Sequence, residues 1–158
     1  MAIKSSQKIT INKPSALAQN IQYYAFADID FAAESAVNTD TVDIFAVPAG
    51  TKVTHVFAKV ITAEGEASTI DIGVTGVDVD IWGAAVSLNA TAETIHSVNV
   101  VGDGHFFAAA GTISALMNTA VTTNVAKIEF MAVCIDAARA FDVYRDTAEP
   151  KLDGVRQV

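Results

Sequence analysis

The stretch KVTHVFAKVITA, from Lys52 to Ala63, decides the fold class. Val53, His55, Phe57, Lys59 and Ile61 share one parity, and Thr54, Val56, Ala58, Val60 and Thr62 share the other. A run this rich in β-branched residues fits a pleated strand better than a helix. Both of its faces are largely apolar. Pro48-Ala49-Gly50 punctuates it on one side. On the other, Glu64-Gly65-Glu66 reads as a hairpin turn into Ser68–Val74, where Ile70, Ile72 and Val74 point the same way.

The same pattern extends in both directions. Gln22 to Phe31 alternates, with Tyr23, Ala25, Ala27, Ile29 and Phe31 facing the core and Tyr24, Phe26, Asp28 and Asp30 facing away. Thr41–Val47 forms the next strand. Thr94–Val101 alternates up to the hairpin signal Gly102-Asp103-Gly104, and His105–Ala110, Thr112–Met117 and Val125 to about Asp136 follow. Lys8–Ile11 reads as a short edge strand stopped by Pro14. Gly73, Gly76 and Gly83 interrupt the remainder, so Val77–Leu88 is expected to be a loop with a short strand or helical turn. The chain holds 19 Val, 14 Ile and 15 Thr against 4 Leu, and its 28 Ala sit in runs dense with Val, Ile and Thr. No helical pattern of about 10–15 residues separates the strands. The expectation is an all-β antiparallel β-sandwich or jelly roll, a single domain over 19–140, with flexible terminal arms at 1–18 and 141–158.

The 158 residues are 51% hydrophobic and 18% charged, enough apolar surface for one packed domain. No apolar run approaches the roughly 18 residues of a membrane span. The net charge of −8 argues against nucleic acid as a partner. A lone Cys134 permits no internal disulfide, and its mid-strand place suits a buried, inert thiol. Met1-Ala2-Ile3-Lys4 leads into polar Ser5-Ser6-Gln7-Lys8 without an apolar core, so no signal peptide is expected, and synthesis is expected in the cytoplasm.

Two strands carry apolar residues on both parities. In the last strand, Ile128, Phe130, Ala132 and Cys134 share one face, and Met131, Val133 and Ile135 the other. A sandwich has one core, so the second faces need cover from loops, an arm or another copy. Phe57 and Phe130 are assigned to the core. Val56, Ala58, Val60, Met131, Val133 and Ile135 are assigned to a homo-oligomer interface.

Chemistry is sparse. No serine lies in a Gly-x-Ser-x-Gly context, and no glycine-rich phosphate loop is present. His55, His96 and His105 show no metal-ligand spacing and read as core or interface histidines. Asp71, Asp78 and Asp80 surround a glycine-broken loop that could hold Ca²⁺, but the spacing is not that of an EF-hand, and solvated loop acids are commoner. Asp28 and Asp30 share a strand face without a legible cleft. Tyr23, Tyr24, Trp82 and Tyr144 are candidates for a sugar platform. Trp82, in Ile81-Trp82-Gly83, is the candidate glycan contact, although single aromatics in sandwiches more often anchor a core or interface. No catalytic residue and no cofactor are expected, and the chain is not expected to be an enzyme.

The segment Phe45–Gly83, FAVPAGTKVTHVFAKVITAEGEASTIDIGVTGVDVDIWG, resembles jelly-roll capsid decoration (cement) proteins and small virion structural proteins of tailed bacteriophages. The matching positions are Val47, Pro48, Gly50, Thr51 and Val53, then Thr69, Asp71, Gly73, Gly76, Asp80 and Trp82. The resemblance implies a homotrimer on the surface of a virion capsid, partnered by the major capsid protein and clamping neighbouring capsomers without catalysis. Other expectations are a different phage component (head fibre base or tail protein) or a carbohydrate-binding β-sandwich module.

Overall fold

Alternating β-branched residues pair into sheets wherever one parity can be buried. The computed structural model describes residues 2–12, 22–34, 36–97, 104–119 and 125–137. In chain order the elements are β1 (Ile3–Lys4), β2 (Ile9–Thr10), β3 (Gln22–Asp30), α1 (Phe31–Glu34), β4 (Thr41–Val47), β5 (Thr51–Thr62), β6 (Thr69–Val74), β7 (Asp78–Ser87), β8 (Ile95–Ser97), β9 (His105–Phe107), β10 (Gly111–Met117) and β11 (Lys127–Asp136). The first sheet runs β4-β10-β6-β7, with β1 and β2 both on the outer side of β4. The second runs β3-β11-β5, with β8 and β9 both on the far side of β5. Apart from the parallel pairs of β1 and β2 with β4, the ladders are antiparallel. From β3 to β6 the chain crosses between sheets at each step, which is jelly-roll wiring and the fold class expected.

The core lies between the sheets. From the first sheet, Ile113, Ala115 and Met117 meet Val74, Ile72 and Ile70 in register, all buried. From the second, Phe130 stands between Ala27 and Ala58, so one large ring is flanked by two methyl groups. Ile128 lies between Ile29 and Val60. Large and small side chains alternate across the Phe130 row, as close packing of the layer favours.

β5 departs from the simple alternation. Its pairing with β11 shifts register between Val133, opposite His55, and Cys134, opposite Val53, leaving Thr54 as an extra residue. This bulge reverses the strand's phase. Val53 is buried, and beyond the bulge Val56, Ala58 and Val60 are buried while His55, Phe57 and Lys59 face outward. The expected core position of Phe57 and the expected interface positions of Val56, Ala58 and Val60 are therefore exchanged: these three belong to the core of the single chain.

Three local expectations also change. β5 and β6 lie in different sheets, so Glu64-Gly65-Glu66 is an arch rather than a hairpin turn. Turn residues mark a reversal but not the sheet that the chain then enters. Glu64 is buried, and its Oε2 accepts the N–H groups of Val125 (3.0 Å) and Ala126 (3.1 Å), tying the arch to the start of β11. Asp78–Ser87 is a strand rather than a loop, held to β6 through two register shifts with Ala85 at φ 52°. A Cβ on Gly73 would come within 2.2 Å of the Asp78 carbonyl oxygen, so this glycine admits the close approach of β7. β3 ends at Asp30, whose Oδ1 accepts the N–H of Ala32 (3.0 Å) and caps α1.

Of the segment 1–18 expected to be an arm, residues 2–12 form the edge of the first sheet. The Gln7 side chain donates to the Asp30 carbonyl and accepts its N–H, each at 2.8 Å. Glu34 accepts the Gln7 N–H (3.0 Å), and Lys8 pairs with Asp43 (3.0 Å). Asp40 accepts the Ala2 N–H at 2.6 Å. Residues 13–18 and the C-terminal arm 141–158 lie outside the described residues.

Truncating Phe130 to Ala should cost about 3–5 kcal/mol, and Phe57→Ala roughly 1 kcal/mol, because only the first ring is fully buried. Val56→Asp should unfold the chain rather than dissociate an oligomer. Urea melts of the three variants test this, and equal losses for the two Phe variants would return Phe57 to the core. The Ala2 amide holds the Asp40 carboxyl below the usual carboxylate range, with smaller help from the Val37 amide. A depressed carboxyl stabilises the fold above its unfolded value of about 3.9 and ceases to do so as pH falls through the lower folded value. The protection factor of the Thr41 amide, which bonds the Ala2 carbonyl at 2.8 Å, should therefore drop on acidification through that range. In Asp40→Asn the drop should disappear; if it persists, another group anchors β1.

Candidate functional site

The outward positions of the second sheet align in cross-strand rows. Tyr24, Val133 and His55 form one row, and Phe26, Met131 and Phe57 the next. Asp28, Glu129 and Lys59 follow toward one end, and Gln22, Ile135 and Lys52 toward the other. Phe106 lies beside Lys52, and Ile95 beside Lys59. Tyr24 is 56% exposed, Phe26 55% and Ile95 62%, all on one surface. His55 stacks on Phe57 with ring centroids 6.0 Å apart. A depression of about 320 Å³ runs between Phe26, Phe57 and Ile95 over Met131, rimmed by Lys59 and Glu129. The chain's own described residues leave Tyr24, Phe26, Ile95 and Phe106 exposed, with Phe57 and Met131 half-buried between them.

Of the six expected interface residues, Met131, Val133 and Ile135 lie on this face. Val133 is only 8% exposed, covered by its neighbours. The face also includes Tyr24, Phe26, Phe57, Ile95 and Phe106, which sequence reasoning did not assign to it. Tyr24 and Phe26 were legible on the outward parity of β3, but Asp28 and Asp30 further along made that face look solvated.

The other candidates do not converge. Trp82 is wholly buried, its ring edge-on to His105 at 6.5 Å, so it is a core anchor and not the exposed glycan contact expected. The glycines around it signalled a loop, but the indole needed the core more than the backbone needed freedom. Tyr23 is half-buried, hydrogen-bonded to Thr51 (3.4 Å), and burial raises its phenol above the ordinary value. Tyr144 lies outside the described residues. His105 packs on Phe107 at 4.7 Å, while His55 lies on the opposite side of the sheet.

Asp71 is engaged by the Ala85 N–H (2.7 Å) and by the Asn118 amide. Asp80 is held above the usual carboxylate range by its hydrogen bond with Asp78, by that neighbour's charge, by desolvation and by Asp71. Among the described residues, no group of three or more His, Cys, Asp or Glu side chains is arranged to hold a metal ion. Asp30 is committed to the cap of α1 and to Lys127 (2.9 Å), whose hydrogen bond lowers its pKa, and so does not act with Asp28 as a free pair. Burial pushes the Cys134 thiol up to about 12, which removes thiolate chemistry at neutral pH. What the described residues bring together is a surface suited to contact.

No protein-family model and no curated sequence matches the chain. Solved structures do match its fold. A chain in the acidic stable capsid structure of Helicobacter pylori bacteriophage KHP30 is 14% identical with a TM-score of 0.52, over 74% of this chain and 90% of that one. A chain in the capsid asymmetric unit of cyanophage Pam1 is 13% identical with a TM-score of 0.52, over 79% and 91%. One in the capsid of Ralstonia phage GP4 is 12% identical with a TM-score of 0.54, over 79% and 90%. The likeness spans nearly the whole of each matched chain, all of them somewhat shorter than this one. This protein thus has the jelly-roll fold of small chains found in phage capsids.

Proposed function

We propose that this chain is a structural component of a tailed-phage virion, a decoration or cement protein that sits on the capsid surface as a homo-oligomer and stabilises the head. The observation that carries this reading is the likeness, over 74–79% of this chain, to chains from the capsid structures of three phages. The apolar outer face of the second sheet supports the same reading, since solvent-facing apolar surface of this kind marks a contact. Three copies around an axis is the number implied by the sequence resemblance. The major capsid protein is the proposed partner, and no catalytic step is assigned. Burial of Trp82 removes the feature that favoured a sugar-binding module.

The test is made on particles. Purified virions should contain the chain in stoichiometric proportion to the major capsid protein by mass spectrometry. Heads stripped of it should release DNA at a lower temperature and recover when purified chain is added back. Its presence only in tail or fibre fractions would move the protein to another part of the virion. Its absence from particles would end the structural reading.

A further inference from the structure

The outer face of the second sheet is complementary to itself. β11 runs down its middle, with β3 on one side and β5 on the other. Asp28 and Glu129 stand directly opposite each other on neighbouring strands, an unfavourable arrangement for like charges. Asp28 makes no ion pair among the described residues, and Lys59, beside Glu129, is bonded to Glu93. Phe26 and Phe57 flank Met131 at equal distance from the centre.

We propose that this face is the contact between two copies of the chain, related by a two-fold axis lying between the facing sheets and parallel to β11. That axis exchanges the β3 and β5 columns. Phe26 of each copy meets Phe57 of the other over the paired Met131 side chains, filling the depression on both. Lys59 of each copy lies over Asp28 of the other, supplying the cation that this carboxylate lacks in the single chain, while the two Glu129 side chains flank the axis, each beside the Lys59 of its own chain. The two sheets then stack face to face in the aligned manner of a sandwich, about 10 Å apart. The contact is isologous, so it leaves every other surface free for a ring or for a capsid.

This inference rests on the reading that the chain assembles with itself, and the solution mass by light scattering separates the two. Twice 16.5 kDa is expected from the face alone and six times from the face together with a three-fold ring. Three times would keep the ring and overturn the face, and a monomer would overturn both. Phe26→Asp, at an exposed position, should halve the mass while the thermal melt stays near wild type. An unchanged mass would exclude the contact.

A mixing experiment tests the pairing itself. Asp28→Lys sets Lys against Lys across the axis, and Lys59→Asp sets Asp against Asp, so each variant alone should fall to half the native mass. Mixed in equal amounts, the two should regain it, because both cross-axis contacts then join opposite charges. A purely intramolecular role for these residues cannot be rescued by mixing, so failure to recover overturns the proposed axis. If wild type is monomeric and Phe26→Asp loses binding to phage heads, the face belongs to the capsid protein and the inference falls, while the virion reading stands.

Discussion

Which residues of β5 between Val53 and Val60 enter the core follows from one extra residue at Thr54. β11 keeps a single phase, with Ile128, Phe130, Ala132 and Cys134 buried throughout. β5 pairs with it along its whole length, so without the bulge the phase set by Val53 would carry His55, Phe57 and Lys59 inward. Burying the Lys59 ammonium without a partner would cost far more than the ring of Phe57 could return. The bulge resolves this conflict by giving the core three small β-strand residues and leaving the long polar and aromatic ones outside. It is held by the Thr54 hydroxyl, which donates to the Val133 carbonyl (3.3 Å), and by Gly104. Gly104 sits at φ 79° so close that a Cβ would fall 2.3 Å from the Val53 carbonyl oxygen. A side chain there would push against the bulge, and with it against the choice of core.

The seams of the sandwich are closed by polar side chains that bond backbone. Glu64 binds two amides at the start of β11, and Gln7 replaces one missing ladder partner at Asp30 in both directions. These contacts satisfy backbone groups that a strand end would otherwise bury unpaired. They also explain why a polar N-terminal segment is ordered against β4. Its docking covers an edge that would invite pairing with another chain, and β8 and β9 do the same along β5.

The sequence made the strands legible because their alternation is long and their turns are rich in Gly and Pro. It also gave the correct inward parity of β3 and β11, and it exposed the need to cover a second apolar face. It misassigned that face on β5, since a bulge adds one residue without any compositional mark and inverts the positions that follow it, here His55 to Val60. Trp82 was misplaced for a related reason. Gly73 is loop-like in isolation, yet here it admits the close approach of β7 to β6, the strand that carries the buried indole being β7. Asp71, Asp78 and Asp80 were legible as acids, but only the fold shows that Asp71 is spent on Ala85 and Asn118.

The two outer surfaces of the sandwich differ in kind, and that difference gives the molecule a direction. On the first sheet, the row Asp43, Ser114 and Gly73 and the row Thr41, Leu116 and Asp71 are mostly polar, and Asp78 and Asp80 extend the acidic character onto β7. On the second sheet the two central rows are aromatic and aliphatic. A net charge of −8 repels like copies at long range. Attraction between copies must therefore come from short-range burial at a place where the acids are few or answered by a cation. The apolar rows bounded by Lys59 and Lys52 satisfy that condition, whereas the acidic side of the first sheet does not.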